Sequence, residues 1–269
     1  MIASSKLYLG MLLLLFGFYN PLIAQDDKLD ALTFEETIIQ EEKIPYFGVG
    51  GGFMVSVFSP NVDDINSQLN SNGMDNLSTP ITMTGALGVA TIGIIPNTRI
   101  NIVNLGGSSS VSEKSFIINN DNYNRKVSYS LAYTGFGIDY AIQLARSLNI
   151  LPGISGGWGN LSVETAQYKI GSTVSNGTIG GSLTDPNIYA KRIENSYVLL
   201  QPGIALEFAP PILGNDKPRV VSLRLHAGYT LSFMGEWKEN GISVITNQPD
   251  TFTASGLGIQ AGIMIGLFN

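Results

Sequence analysis

The chain of 269 residues has no cysteine, a single histidine and few charged residues, 13% of the total. Each shortage removes a class of protein. Without cysteine there is no disulfide framework, no thiolate metal site and no acylated lipoprotein N-terminus. With His226 alone, metal centres built on histidine clusters and hydrolase machinery that needs a second imidazole are excluded. Water-soluble domains carry about 25% charged residues, so this chain must present much of its surface to something other than water. Its 15 basic and 21 acidic residues leave a net charge of −6, which argues against nucleic acid, whose phosphates demand a basic face. Long apolar runs are scarce too. Beyond Leu7–Phe18, no segment is long and glycine-poor enough to make a helical span.

What is present begins with an export leader. Lys6 supplies the basic charge, Leu7–Phe18 the apolar run, and Pro21 to Ala24 lead to Gln25, which predicts a secretory signal over 1–24 cleaved after Ala24. Leu22, at the minus-three position, is bulkier than the small residue preferred there. The alternative, a retained anchor, would need a run nearer 20 residues. Residues 25–43 form an acidic segment with Asp26, Asp27, Asp30, Glu35, Glu36, Glu41 and Glu42. It reads either as a solvated tail or as a short periplasmic helix or docking segment.

From residue 44 to residue 269 the pattern has a period of two, the side-chain period of a pleated strand. Leu257, Ile259, Ala261, Ile263, Ile265 and Leu267 alternate with glycines, Gln260 and Met264. Val221, Leu223, Leu225, Ala227, Tyr229, Leu231 and Phe233 alternate with Ser222, Arg224, His226, Gly228, Thr230 and Ser232. Val198 to Phe208 and Tyr46 to Phe58 repeat the arrangement; Ile81–Ile94 and Arg99–Gly107 are noisier. The fourth candidate strand changes phase, with Val127, Tyr129, Leu131 and Tyr133 on one parity and Phe136, Ile138, Tyr140 and Ile142 on the other. That predicts a bulge near Thr134-Gly135. Pro152 and Pro202, which cannot donate ladder bonds, mark further possible bulges.

The connections alternate in length. Long polar links are predicted near Pro60–Thr79, Ser108–Arg125, Tyr168–Asn195 and Gly235–Thr251, and short turns near Ile95–Thr98, Ala145–Asn149 and Pro210–Pro218. Short periplasmic turns and longer outer loops are the asymmetry of a transmembrane barrel. The expectation is an all-β, antiparallel up-and-down barrel of eight strands. Within the first long link, Val62, Ile65, Leu69 and Met74 fit either a short amphipathic helix over the barrel mouth or an irregular loop.

Two aromatic girdles are predicted from this topology: Tyr46, Phe47, Tyr140, Phe208 and Phe268 at the periplasmic ends, and Phe58, Tyr129, Tyr197, Phe233, Trp237 and Phe252 at the opposite ends. With its alternating strands and aromatic ends, the chain resembles the small outer-membrane β-barrel proteins of the eight-stranded OmpA/OmpX-like, porin-related kind. The resemblance implies an outer-membrane location in a Gram-negative type of envelope, contact with outer-membrane lipid, and handling by the barrel-assembly machinery. That machinery commonly reads a terminal aromatic residue; here Phe268 is penultimate and has lumen-facing parity.

Chemistry-bearing patterns are few. Gly256 to Ala261 matches G-x-G-x-x-A but lies inside an alternating strand with no helix after it, so it lacks the context of a dinucleotide site. Asn76, Asn160 and Asn176 head N-x-S/T sequons, which an Asn- and Ser-rich chain produces by chance. His226 has Ser222, Ser232, Arg224 and Glu207 near it, but not at the spacing of an outer-membrane deacylase. No catalytic, metal or cofactor residue is assigned.

The informative constellation is internal. By parity Glu207, Arg224 and His226 point into the lumen, joined by Asp139 if the fourth strand is bulged. A direct Glu207–Arg224 pair is expected, because an unpaired buried ion costs several kcal/mol. Three functions remain open at this level: a non-catalytic surface-interacting barrel with a plugged lumen and a possible extracellular ligand on its long loops, a small channel or ligand-binding barrel, and a soluble lipocalin-like barrel with its apolar face inward.

Overall fold

Strand pairing closes on itself. In the computed structural model, which describes residues 45–171, 187–214, 217–245 and 252–269 (with the side chains of 108–110 and 243 left out), ten strands form one sheet. Eight of them make the wall: β1 (Gly48–Pro60), β2 (Ile81–Thr91), β3 (Thr98–Ile118), β4 (Asp121–Tyr140), β6 (Leu148–Lys169), β7 (Tyr189–Phe208), β8 (Arg219–Glu239) and β10 (Gly256–Phe268). Each pairs antiparallel with its neighbour, and β10 pairs with both β8 and β1, so the wall is a ring. Short β5 (Ile142–Ala145) continues β4 after Ala141, and β9 (Ser243–Val244) edges β8. The fold is an antiparallel up-and-down barrel of the transmembrane type. The leader and the acidic segment, residues 1–43, lie outside the described residues.

The seam between the two ends of the chain is tied by the last residue. The Asn269 side chain accepts from the Phe47 amide at 2.5 Å and donates to the Pro45 carbonyl at 2.8 Å. Beside it Phe268 is buried in the interior, against Gly48 and Gly50.

Toward the end of the barrel that carries the short turns, apolar side chains point outward. Phe47, Val49, Phe53, Ile100, Ile102, Phe136, Ile138, Ile154, Ile204, Leu206, Leu223, Leu225, Ile263 and Ile265 are all exposed. That is the reverse of a lipocalin, whose apolar face lines the inside. A transmembrane strand needs only about 9–11 residues. β1, β2 and β10, with 13, 11 and 13 residues, are near that length, while β3, β4, β6, β7 and β8 have 20 to 22. One side of the wall therefore rises well beyond the belt.

In that upper part the amphipathicity inverts. Val127, Tyr129, Leu131, Tyr133, Leu161, Val163, Tyr197 and Leu199 are buried inside, and Lys126, Ala132, Asn160 and Glu164 face outward. This corrects the expected bulge at Thr134-Gly135. β4 keeps one parity from Tyr123 to Asp139, with odd residues inward throughout. The switch in hydrophobic phase marks the level at which the wall leaves the apolar belt, and the irregularity lies instead on β3 between Leu105 and Ser108, where Gly107 has φ +85°. The prolines are not bulges either. The β6–β7 register runs unbroken through Pro152 and Pro202, and Pro202 merely interrupts the β7–β8 ladder.

The link predicted at Ser108–Arg125 is also corrected: β3 and β4 run on to a tight turn at Asn119-Asn120, both with positive φ. Its polar residues are a strand whose outer face meets water. The strands flanking the other two late links likewise extend into them, to Lys169 and from Tyr189, and to Glu239; residues 172–186 and 246–251 lie outside the described residues. The turns at Ile95–Thr98 and Ala145–Asn149 stand where expected.

Candidate functional site in the barrel lumen

Just above the rim that carries the short turns, four charged side chains from four strands meet inside the barrel. Arg99 on β3 is fully buried and binds Asp139 on β4 through Nε at 3.1 Å and Glu207 on β7 through its guanidinium at 2.5 Å. Arg224 on β8 binds the same Asp139 oxygen at 2.9 Å. Tyr46 completes the node: its hydroxyl donates to Glu207 at 2.9 Å and accepts from Arg99 at 2.6 Å. Two cations face two carboxylates, so the buried charge is balanced and each ion has a partner, the condition under which ions survive burial.

Three of the predicted residues, Asp139, Glu207 and Arg224, are thus brought together, and the expected direct pair is corrected. Glu207 and Arg224 are register partners on β7 and β8, yet each is bonded to a residue from across the lumen. Sequence reasoning missed Arg99, whose inward parity with Asn101, Val103 and Leu105 was the available signal. Tyr46 was assigned to a girdle, although it shares parity with the inward Gly48 and Gly50.

His226 lies beyond the node, beside Gln260 in the β8–β10 register. A Cβ at Gly228 would meet its imidazole at 2.8 Å, so glycine there makes room for the ring. Its Nδ1 has no hydrogen-bond partner among the described residues. Further in, Gln260 donates to the Tyr133 hydroxyl at 2.8 Å and Gln201 to Thr230 at 2.9 Å. Among the described residues no cluster of His, Cys, Asp and Glu is arranged to hold a metal ion, and no helix is long and apolar enough to cross a membrane.

Above these polar layers the lumen is lined by buried apolar side chains. The link after β1 contains α1 (Asp63–Ser71), the helical one of the two forms the spacing allowed. Asp63 and Asp64 sit in its first turn, where the helix dipole favours acids. Val62, Ile65, Leu69, Met74 and Leu77 are buried in one cluster with Met54, Phe58, Met83, Leu105, Tyr129 and Tyr197 of the wall. Asp75 ties the segment to the tall side, its carbonyl accepting from Ser112 at 2.7 Å and its carboxylate pairing Lys114 at 3.4 Å.

The girdle assignment divides. Phe47, Tyr140, Phe208 and Phe233 are outward and exposed. Tyr46, Phe58, Tyr129, Tyr197, Trp237, Phe252 and Phe268 are buried in the interior, which corrects their assignment. The upper lumen is a hydrophobic core, and large rings fill it. On the outer face Trp158 and Phe136 form a tilted pair 5.7 Å apart that the prediction did not include.

A closed eight-stranded ring with an outward apolar belt and a filled lumen defines a small barrel of the outer-membrane type. No protein-family model matches the chain, and no curated protein matches it. Among solved structures, the crystal structure of Ail, the attachment invasion locus protein of Yersinia pestis, aligns over 84% of this chain and 99% of its own, with a TM-score of 0.37 and 8% identity. The same protein in complex with the heparin analogue sucrose octasulfate aligns over the same shares with a TM-score of 0.33 and 9% identity.

Proposed function

We propose that the protein is a non-catalytic barrel of an outer membrane, exported by its 1–24 leader and inserted by the barrel-assembly machinery. On this reading the tall strands and long links face the cell exterior as an interaction surface. The observation that carries the reading is the filled lumen: an ionic node below, an apolar core with α1 above, and lipid-compatible side chains outside. Eight strands enclose an interior just wide enough for side chains, so the barrel serves as a rigid support rather than a pore. The interaction surface has a candidate element in the upper part of β3. Beyond Gly106 that strand has no ladder partner on the β2 side among the described residues, and an open strand edge is a template for an extended segment of another chain.

The test is gel mobility of the detergent-extracted protein with and without boiling, followed by planar-bilayer conductance. A heat-dependent shift with no steady conductance is the expected result. Recovery in the soluble periplasmic fraction without a shift overturns the membrane reading, and a stable single-channel conductance overturns the plugged lumen.

A further inference from the structure

We propose that the outer face where β3, β4 and β6 leave the apolar belt holds the uncharged sugar headgroup of a lipid in the surrounding leaflet. The inference rests on the membrane reading above and adds a ligand class to it.

A single cross-strand row runs Asn104, Thr134, Trp158, Val198, Phe233 across β3, β4, β6, β7 and β8, all pointing outward. Its β7–β8 end is apolar, and its β3–β4 end is an amide and a hydroxyl. On β3 the outward apolar run is only Ile100 and Ile102 before Asn104, whereas on β8 it continues from Leu223 to Phe233. The outer face is therefore apolar toward β7 and β8 and turns polar early along β3.

The residues there share a chemistry. Asn104 donates to Thr134 at 2.7 Å, and two rows further on the Ser130 hydroxyl is bonded at 2.8 Å to that of Ser162, which is buried, so the open groups are those of Asn104, Thr134 and Asn160. Asn160 stands between these rows, on the same face as Trp158 and two residues along β6. Trp158 is 57% exposed and leans on Phe136. Amides and hydroxyls both donate and accept, and an amide such as Asn104 keeps a second donor and an acceptor beyond the bond to Thr134. None of these side chains is charged, and where their rows reach charge, at Glu194 opposite Ser162, the neighbouring cation Arg192 is already paired with it at 3.3 Å, so these residues form no free basic patch of the kind that recruits anionic headgroups. An exposed indole beside neutral donors and acceptors suits a ring with C–H faces and hydroxyl edges, which is a sugar. Continuity with the lipid-facing belt makes the sugar's source a lipid rather than a soluble glycan.

The full chain in lauryldimethylamine oxide micelles, first shown to be folded by its heat-dependent gel shift, is titrated with dodecyl maltoside while the side-chain amide signals of Asn104 and Asn160 are followed by NMR. Parallel titrations use a dodecyl polyoxyethylene detergent, which has the same chain and no sugar, and free maltose. Saturable shifts with the maltoside alone, with a midpoint moved about tenfold in Trp158→Leu, are the expected result. Equal shifts with both detergents overturn the proposal and make Trp158 an ordinary interfacial residue. A response to free maltose at the same concentration overturns the lipid source. Should Trp158→Leu lack the gel shift, Asn104→Leu takes its place, with loss of the Asn160 shift expected. A barrel that shows the gel shift but no maltoside response sinks this inference alone, whereas absence of the gel shift in the natural chain sinks the membrane reading as well.

Discussion

Arg99 is the residue on which the lower lumen depends, because it is the one cation that touches both carboxylates and the Tyr46 hydroxyl. Removing one partner of a buried ion pair costs about 3–5 kcal/mol, chiefly because the other charge is left unpaired. Arg99→Ala is expected to lower the unfolding free energy in urea by that amount, judged from loss of the compact gel band. Arg224→Ala should cost less, since Asp139 retains Arg99. Equal losses would mean that the two arginines share the load evenly and that the node has no centre. Gly153 supports the same group by its small size. A Cβ there would run into the Asp139 carboxylate and meet the Ile138 carbonyl at 2.8 Å, so Gly153→Ala should cost about 1–3 kcal/mol in the same assay. A neutral result would show that Asp139 can turn aside without losing its arginines.

At the scale of elements, α1 and the rest of its link act as a stopper held mainly by apolar burial. Replacing a buried leucine by alanine costs about 2–5 kcal/mol when the gap stays open. Leu69→Ala combined with Ile65→Ala should release the link to protease while the heat-dependent gel shift persists, because the eight-stranded ladder below does not depend on it. Loss of the gel shift would instead make α1 part of the folding core. How far such elements were legible differs with the physics that sets them. The alternation of β1, β7, β8 and β10 could be read directly, since one face is apolar and exposed and the other carries small or polar groups. In β4 the same reading failed at Thr134-Gly135 because hydrophobicity was equated with facing outward. Above the belt that relation reverses, and Tyr129 and Leu131 are inside for the same reason that Phe136 and Ile138 are outside. Polar composition misled in the same way over 108–125, where serines and charges on an exposed strand were taken for a loop. The ionic node was half legible: parity placed Asp139, Glu207 and Arg224 inside, but the partner of Glu207 comes from across the lumen, and cross-lumen contacts leave no mark in local spacing.

For the molecule as a whole, the wall combines two structures with different solvents. The lower ring is held by ladder pairing around the whole barrel, interrupted at Pro202, and carries its apolar side chains outside; the upper, taller side is held as a water-soluble sheet would be, by a core within. A barrel that loses part of the upper structure should therefore still close. Replacing residues 113–126 by Asn-Gly joins Ser112 to Val127, which are already opposite each other across β3 and β4, and a two-residue turn of this composition suits such a hairpin. The shortened protein should retain its heat-dependent gel shift, with a urea midpoint lowered modestly by loss of the Lys114 contact to Asp75 and of the packing around Phe116. Failure to form the compact band would mean that the upper hairpin directs closure of the ring and that the two parts do not fold independently. Retention of the band places the specification of the barrel in the belt and the node, and leaves the protruding sheet free to vary in sequence.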